Sequence, residues 1–260
     1  MTTPTTTQAP PQLLAGRRIL VTGAARGLGL EFARAFCAAG AEVALADIRA
    51  DVLDAATQEL RTQGYTVHAV VADLSDPTSI THGAIQAVQA LGGLDGLVNN
   101  AAITNSGGRG MADIEVATWD QVMNVNVRGT WLMTQACRAA LAASGRGAVV
   151  NLASDTALWG APNLMAYVAS KGAVIAMTHS MARELGAENT TVNAIAPGLV
   201  LVEATQYIPE GRKRHYIDQR ALQREQLPED VTGPVLFALS DMARFVTGQL
   251  LAVNGGFVMH

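Results

Sequence analysis

Short apolar runs alternate along the chain with longer stretches whose apolar residues recur at helical spacing. The runs are rich in Val, Ala and Leu and do not alternate with polar residues, which is typical of strands covered on both faces. The pattern therefore predicts an α/β fold, a single-domain doubly wound parallel sheet of about seven strands with helices on both faces. The predicted strands are residues 18–22, 42–46, 66–71, 94–98, 147–152, 191–195 and 249–253.

Local signals set the limits of several predicted helices. Asp76 and Pro77 have the residue types of an N-cap and a first helical position, and Gly40 has that of a C-terminal stop. The stretch 197–227 is polar and irregular, and we expect a substrate lid within residues 199–227. The predicted helices are residues 28–40, 50–63, 77–91, 118–143, 163–186 and 228–239.

Composition and charge narrow the function classes. Of the 260 residues, 49% are hydrophobic and 15% are charged, a balance that excludes a disordered chain. Residues 1–14 are rich in Thr and Pro and lack the regions of a signal peptide, so we expect a disordered tail before one domain at 15–260. The net charge of −4 gives no basic footprint for nucleic acid, and no apolar run is long enough to span a membrane.

The cysteines and histidines predict no metal site. Cys37 and Cys137 lie far apart in predicted helices, and the five histidines are scattered. Two cysteines form neither a disulfide framework nor a four-ligand zinc site. The simplest interpretation is a protein of the reducing cytoplasm.

A glycine-rich loop, TGAARGLG from position 22, follows the first predicted strand and leads into the first predicted helix. Glycines allow a tight turn and let a pyrophosphate approach the backbone, while the helix N-terminus attracts phosphate. Plain turn chemistry is the alternative, but the position after the first strand favours a dinucleotide site. The loop residues predicted to bind the cofactor are Gly23, Arg26, Gly27, Leu28 and Gly29.

Asp47 ends the second predicted strand, 18 residues after Gly29. An acidic residue about 20 residues beyond the glycines is expected to bind the adenosine ribose of NAD, and its charge repels the extra phosphate of NADP. The alternative role is an N-cap of the following helix. Arg26 and Arg49 could lie near the same ribose and accept a phosphate, so we expect NAD and leave NADP open.

Further motifs occur in the order and spacing of a known family. They are Asp73-Leu74, Asn99-Asn100-Ala101-Ala102, Asn126, Ser154, Tyr167-Val168-Ala169-Ser170-Lys171 and Pro197-Gly198. Together with the glycine loop, they make the chain resemble the classical short-chain dehydrogenase/reductase family over almost its whole length. The resemblance implies a Rossmann-like sheet and an oxidoreductase that interconverts a secondary alcohol and a ketone with a nicotinamide cofactor.

The resemblance also implies individual roles. Asp73 is expected to contact the amino group of the cofactor's adenine. The backbone of Val200 is expected to hold the carboxamide of the nicotinamide. Asn126 is expected to kink its helix and hold a water that relays protons from Lys171. Val202 departs from the family, which often has Thr there, and Thr205 could replace that hydroxyl. Besides the glycine loop and Asp47, the implied cofactor-binding residues are Asp73, Leu74, Asn100, Ala101, Tyr167, Lys171, Pro197, Gly198 and Val200.

Oxidation of an alcohol needs a group that takes the hydroxyl proton. Tyrosine has an ordinary pKa of about 10, which a nearby cation lowers by stabilising the phenolate. Tyr167 and Lys171 are four residues apart on one predicted helix and so share a face, although such pairs are also common on helix surfaces. Ser154 follows the fifth strand at the edge where open α/β sheets bind ligands. We predict Ser154, Tyr167, Lys171 and Asn126 as catalytic, with Tyr167 as general acid and base.

Three segments, residues 103–113, 155–164 and 199–227, are expected to select the substrate. Trp159 either lines an apolar pocket or packs at its rim. The charged run from Arg212 to His215 is typical of a solvated helix face, with binding of an anionic substrate as the alternative. The small and apolar residues of the third segment favour a modest secondary alcohol or ketone, cyclic and aryl ones included.

Two other functions stay open. One is an NADPH-dependent 3-oxoacyl-type reductase, and the other is a non-catalytic dinucleotide-binding sensor or scaffold, which would typically lack the Tyr or the Lys. The resemblance also implies a homotetramer, a dimer of dimers, in which the helices at 118–143 and 163–186 pair across a subunit interface.

Overall fold

The structure is a computed structural model that describes residues 12–104, 106–205 and 208–259. Residues 1–11 of the predicted tail and residues 206–207 of the predicted lid lie outside the described residues. Leu14, which the prediction assigned to the tail, is fully buried, and its N–H donates to the carbonyl of Ala39 at 2.9 Å. The folded region therefore begins before residue 15, because this leucine belongs to the core.

Seven parallel strands form one sheet in the order β3-β2-β1-β4-β5-β6-β7. The order reverses direction between β1 and β4, and such a switch point opens a crevice at the carboxyl ends of the strands. The predicted doubly wound α/β fold is confirmed. The strands are β1 (Arg18–Thr22), β2 (Glu42–Asp47), β3 (Val67–Val71), β4 (Gly96–Asn99), β5 (Ala148–Leu152), β6 (Thr191–Pro197) and β7 (Leu250–Val253).

Helices cover both faces of the sheet. Successive residues of β1 point to opposite faces, so that Ile19 belongs to a core cluster with Phe32 and Leu20 to another with Met133. The α-helices are α1 (Gly27–Ala38), α2 (Ala50–Thr62), α3 (Pro77–Leu91), α4 (Val116–Met123), α5 (Thr130–Ala143), α6 (Thr156–Trp159), α7 (Met165–Leu185), α8 (Glu210–Gln219) and α9 (Glu229–Leu239). The shorter helical turns are Met111–Asp113, Asn124–Gly129, Gly186–Glu188, Glu203–Thr205 and Asp241–Ala243.

The capping signals act as the sequence indicates. The Asp76 carboxylate accepts the N–H of Thr78 at 2.9 Å and caps α3, with Pro77 as the first helical residue. Gly40 has a φ of +92°, a left-handed conformation that glycine adopts without strain, just beyond the end of α1.

Two predicted helices need correction. The helix predicted at 118–143 begins at Val116, and a π-helical turn at Asn124–Gly129 divides it into α4 and α5. The helix predicted at 163–186 begins at Met165, because Asn163 has a φ of 57° and cannot belong to a right-handed helix.

The stretch 197–227 was expected to be irregular, but part of it is helical. It contains the helical turn Glu203–Thr205 and the ten-residue helix α8. Tyr216 is the buried residue of α8, so the helix has almost no apolar stripe for a periodicity analysis to detect. The short helix α6, directly after β5, was not predicted either.

Among the described residues, no helix combines the length and the apolar character needed to cross a membrane.

Candidate active site

An open cleft of about 1160 Å³ lies at the carboxyl ends of the strands. It is lined by all the residues predicted to bind the cofactor and by Ser154, Tyr167 and Lys171. Asn126 does not line it. Residues from six strand ends, β1 to β6, are thus brought to one surface by the parallel topology.

The glycine loop packs tightly against the end of β4. Gly23 has a φ of +64°, and a Cβ there would lie 2.7 Å from Cα of Ala101. A Cβ at Gly29 would lie 2.6 Å from Nδ2 of Asn100 and closer still to the carbonyl oxygen of Gly23. Asn100 holds this arrangement, since its Nδ2 donates to the carbonyls of Thr22 at 2.9 Å and Gly23 at 3.1 Å.

Asp47 lies at the end of β2 beside this loop. Its Oδ2 accepts the N–H of Ala25 at 3.1 Å and its Oδ1 accepts the N–H of Arg49 at 3.0 Å. The guanidinium of Arg26 pairs instead with Glu203, with Nη1 2.7 Å from Oε1. Asp47 therefore presents a carboxylate to the cleft that is held by backbone N–H groups rather than by an arginine side chain.

Asp73 and Leu74 line the same side of the cleft, after β3. The Asp73 carboxylate accepts both the N–H and the hydroxyl of Ser75, each at 2.7 Å. Its orientation is thus fixed by its own loop.

Tyr167 and Lys171 lie one turn apart on α7, as predicted. The Lys171 Nζ lies 5.6 Å from the centre of the Tyr167 ring and donates to the carbonyl of Leu152 at 2.6 Å. Burial of Lys171 lowers its pKa to about 8, because the charged ammonium loses water. A cation held beside a phenol favours the phenolate, which is what a tyrosine base requires.

Two buried amide side chains lock α7 in place. Nδ2 of Asn151, on β5, donates to the hydroxyl of Thr178 at 2.9 Å, and Nδ2 of Asn126 donates to the hydroxyl of Ser170 at 3.0 Å. Asn126 also pairs with the backbone of Ile103, accepting its N–H at 2.8 Å and donating to its carbonyl at 3.1 Å. Asn126 lies in the π-helical turn, in agreement with the expected kink, but its side chain contacts a loop and α7; the proton relay through Asn126 stays a prediction.

Ser154 follows β5 and is almost fully buried at the cleft wall. Its hydroxyl oxygen accepts the Thr156 hydroxyl at 2.9 Å, which leaves the Ser154 O–H available to donate into the cleft. Thr156 was not predicted; its position two residues after Ser154 was the only signal.

The turn after β6 borders the same cleft. The Thr205 hydroxyl donates to the carbonyl of Val200 at 2.7 Å and accepts the N–H of Val202 at 3.0 Å. Thr205 also lines the cleft, so it supplies a hydroxyl near the position where Val202 departs from the family.

The end of the cleft that is expected to bind the substrate is bordered by α6 and α8. Trp159 lines the cleft and packs edge-on against Tyr216 and Phe257, with ring centres 6.2 and 5.5 Å away. Of the charged run on α8, Arg212 and His215 line the cleft, whereas Lys213 and Arg214 do not. Tyr216 was missed by sequence reasoning, since nothing in the chain indicates that α8 folds back onto the site.

The lining residues fit a dinucleotide. The glycine loop forms a cradle that lies close against the end of β4, because no Cβ fits at Gly23 or Gly29, and the N-terminus of α1 borders the cleft there. Asp47, at the end of β2 beside the glycine loop, supplies an acceptor for ribose hydroxyls. Among the described residues, no group of three or more His, Cys, Asp or Glu side chains is placed to hold a metal ion.

Comparison with known proteins agrees with this geometry. A family model described as Enoyl-(Acyl carrier protein) reductase matches residues 23–258. The chain is 36% identical to 2-(S)-hydroxypropyl-CoM dehydrogenase 3 of Xanthobacter autotrophicus, an alignment that covers 92% of this chain and 95% of that one. It is 35% identical to the 3-oxoacyl-[acyl-carrier-protein] reductase FabG of Thermotoga maritima, with 95% and 99% covered.

A crystal structure of a Sinorhizobium meliloti 1021 protein, described as a short-chain alcohol dehydrogenase, superposes on this chain with a TM-score of 0.89. It is 34% identical to this chain, and the match covers 95% of this chain and 98% of that one. The matches in sequence and in fold both run over nearly the full chain. The protein belongs to the short-chain dehydrogenase/reductase family and is an oxidoreductase acting on CH–OH groups.

Proposed function

We propose that the chain interconverts a secondary alcohol and a ketone with NAD(H) as its preferred cofactor. The observation that carries this proposal is the meeting of Ser154, Tyr167 and Lys171 on one wall of the cleft whose other end is the glycine loop. A hydroxyl donor, a phenol and a buried amine beside a dinucleotide cradle provide the groups that alcohol–ketone chemistry needs.

The protein groups bind the substrate oxygen and move its proton. Ser154 donates a hydrogen bond to that oxygen. Tyr167 takes the hydroxyl proton in oxidation and returns it in reduction. Lys171, fixed by the Leu152 carbonyl, stabilises the phenolate and holds the nicotinamide ribose, and Asn126 supports a water that relays protons to solvent.

The cofactor supplies a hydride acceptor or donor when bound. We assign its pyrophosphate to the glycine loop from Gly23 to Gly29 and its adenosine ribose to Asp47. Asp73 and Leu74 are assigned to the adenine, and Asn100 and Ala101 to the wall along it. Pro197, Gly198 and the backbone of Val200 are assigned to the carboxamide.

The Asp47 carboxylate is the basis for the NAD preference. Asp47→Asn keeps an acceptor for the Ala25 N–H but removes the negative charge that repels a ribose phosphate. The ratio of kcat/KM for NADH to that for NADPH is expected to fall at least about tenfold, since like charges in contact cost several kcal/mol. Steady-state kinetics with both cofactors measures it.

Asp51→Asn is the matched control, because Asp51 is exposed on α2 and does not line the cleft. An unchanged ratio in Asp47→Asn, or a wild type that prefers NADPH by more than about tenfold, would contradict the role of Asp47.

The same comparison of NADH and NADPH distinguishes the second candidate function from the first. The second candidate is an NADPH-dependent reductase of 3-oxoacyl chains, and similarity to a 3-oxoacyl-[acyl-carrier-protein] reductase of Thermotoga maritima favours its substrate class. Asp47 and the pairing of Arg26 with Glu203 argue against a phosphate at the ribose. A screen of secondary alcohols and ketones, followed by cofactor absorbance, tests the main proposal. Binding of cofactor without any turnover would instead support the sensor or scaffold.

We further propose a homotetramer, built as a dimer of dimers. Val116 on α4 and Trp131 on α5 are 75% and 49% exposed, and the outer side of α7 at Gly172 is open. Uncovered apolar and small side chains on these helices suit a contact with a second copy. Light scattering at micromolar concentration is expected to give four subunits, and Trp131→Glu a smaller species.

Ile85→Glu serves as the control for this assembly, since Ile85 is 50% exposed on α3, which is not one of the helices proposed to pair. A monomeric wild type would refute the assembly.

We also propose a cytoplasmic location with small molecules as the binding partners. Cys37 and Cys137 are both free and buried, and burial raises the pKa of each thiol to about 12. A protein with unpaired thiols and no disulfide is typical of a reducing compartment.

A further inference from the structure

Asp155 is a buried carboxylate directly beside the proposed catalytic Ser154. It is 0% exposed, and its N–H donates to the carbonyl of Pro197 at 3.0 Å, which ties the end of β5 to the end of β6. A Cβ at Gly198 would lie 3.1 Å from its Oδ2. Asp155 thus lies against the turn assigned to the carboxamide, yet it has no place in the mechanism above.

The side chain of Asp155 contacts the lid helix α8. Its Oδ1 accepts the hydroxyl of Tyr216 at 3.3 Å. The Tyr216 ring is 3% exposed and stacks on Phe257, with ring centres 4.5 Å apart. This tyrosine is the buried residue of α8, so its hydroxyl links the lid to the catalytic end of the sheet.

Charged and polar groups face this carboxyl group from several elements. Arg212 of α8 and Arg220 after it attract its negative charge, and Trp159 on α6 also favours the charged form, although its indole N–H makes no hydrogen bond among the described residues. Arg220 is also held by the carbonyl of Leu199 at 2.9 Å. His215 of α8 and Lys171 of α7 line the same cleft. The Oδ2 of Asp155 nevertheless has no hydrogen-bond partner among the described residues.

We propose that Asp155 is a positioning residue for the reaction: its carboxyl group fastens α8 over the substrate end of the cleft, and ionisation of that group loosens the lid. The inference rests on the proposed function, because it concerns the residues that place the lid over the ketone. It concerns substrate binding and leaves the proton transfer to Tyr167.

The sign of the pH dependence follows from burial. Desolvation raises the pKa of Asp155 to about 7, although Tyr216, Arg220, Arg212 and Trp159 oppose the shift. With the lid open, water reaches the carboxylate and the pKa returns toward its ordinary value of about 4. The closed lid therefore binds a proton more tightly. Closure is favoured at low pH, and it weakens as the pH rises through the pKa of the closed state and then levels off.

Limited proteolysis measures how readily α8 becomes accessible, and it needs no turnover, because trypsin cuts after Arg212, Lys213 and Arg214 on α8. Asp155→Asn keeps an oxygen for the Tyr216 hydroxyl but cannot ionise. The measured quantity is the rate of cleavage in α8 of the wild type divided by that of Asp155→Asn. We expect this ratio to rise several-fold, and at most about tenfold, between about pH 6 and about pH 8.5. The pH dependence of trypsin cancels in this ratio.

Two further variants sharpen the test. Tyr216→Phe keeps the stacked ring and loses the hydroxyl, and it is expected to speed cleavage at about pH 6 roughly threefold. Asp218→Asn removes an exposed carboxylate from the same helix and is expected to behave as wild type at both pH values. A constant ratio of wild type to Asp155→Asn, or an equal effect of Asp218→Asn, would overturn the proposal.

Kinetics separates this inference from the proposed function. In the wild type, the KM for the ketone should rise over the same pH range more than it does in Asp155→Asn, while the KM for NADH stays equal in the two proteins. A pH-dependent cleavage ratio in a protein that reduces no ketone would support the lid contact and reject the proposed function. Turnover with identical pH profiles of KM in both proteins would reject the role of Asp155 alone.

Discussion

A Tyr167→Phe variant is expected to lose turnover by about a thousandfold or more and to bind NADH with unchanged affinity. The phenyl ring keeps the packing of α7, and Lys171 keeps its bond to the Leu152 carbonyl. Only the hydroxyl that moves the substrate proton is lost, and positioned acid–base groups contribute about a hundredfold to ten-thousandfold. Steady-state turnover and fluorescence titration of NADH measure the two effects separately.

The matched control is Tyr65→Phe. Tyr65 lies outside the cleft, so the loss of its hydroxyl should change neither turnover nor NADH affinity. If Tyr167→Phe retained more than about a tenth of wild-type turnover, the assignment of the general acid and base would be wrong.

Gly29→Ala is expected to weaken NADH binding by at least about a hundredfold and to lower the unfolding temperature. The new Cβ would overlap the Gly23 carbonyl and lie 2.6 Å from Nδ2 of Asn100. Helix α1 must therefore move away from the end of β1, which opens the cradle that the pyrophosphate needs. Calorimetric titration with NADH and a thermal melt measure the two losses.

Gly186→Ala is the control, because it shows whether a glycine-to-alanine change at a position with free space also weakens NADH binding. Gly186 has a φ of −59° and a ψ of −36°, and a Cβ there would meet nothing within 4 Å. This variant should bind NADH as the wild type does. Wild-type affinity in Gly29→Ala would show that the loop does not hold the cofactor as proposed.

The sheet and most helices could be predicted because their signals are local. The strands are short, mostly apolar runs, and the start of α3 is determined by Asp76 and Pro77, which act within the first turn. The cleft followed from the fold, since parallel strands bring residues as distant as Gly23 and Pro197 to one edge.

The remaining features depend on long-range contacts. The π-helical turn lies where Asn126 bonds the backbone of Ile103, a partner 23 residues away. Helix α8 is held by Tyr216 against Asp155 and Phe257, contacts that the order of polar and apolar residues within α8 does not reveal. The role of Arg26 also depended on a distant partner, because Glu203 of the lid pairs with it.

The most direct test of the account is transfer of an isotope label. NADH that carries deuterium in place of both hydrogens on the reactive carbon of the nicotinamide is incubated with a ketone from the screen. The product alcohol is examined by mass spectrometry. We predict one deuterium at the carbinol carbon with the wild type and no labelled alcohol above background with Tyr167→Phe. Bound NADH that transfers no deuterium to any ketone in the presence of the wild-type protein would contradict the account.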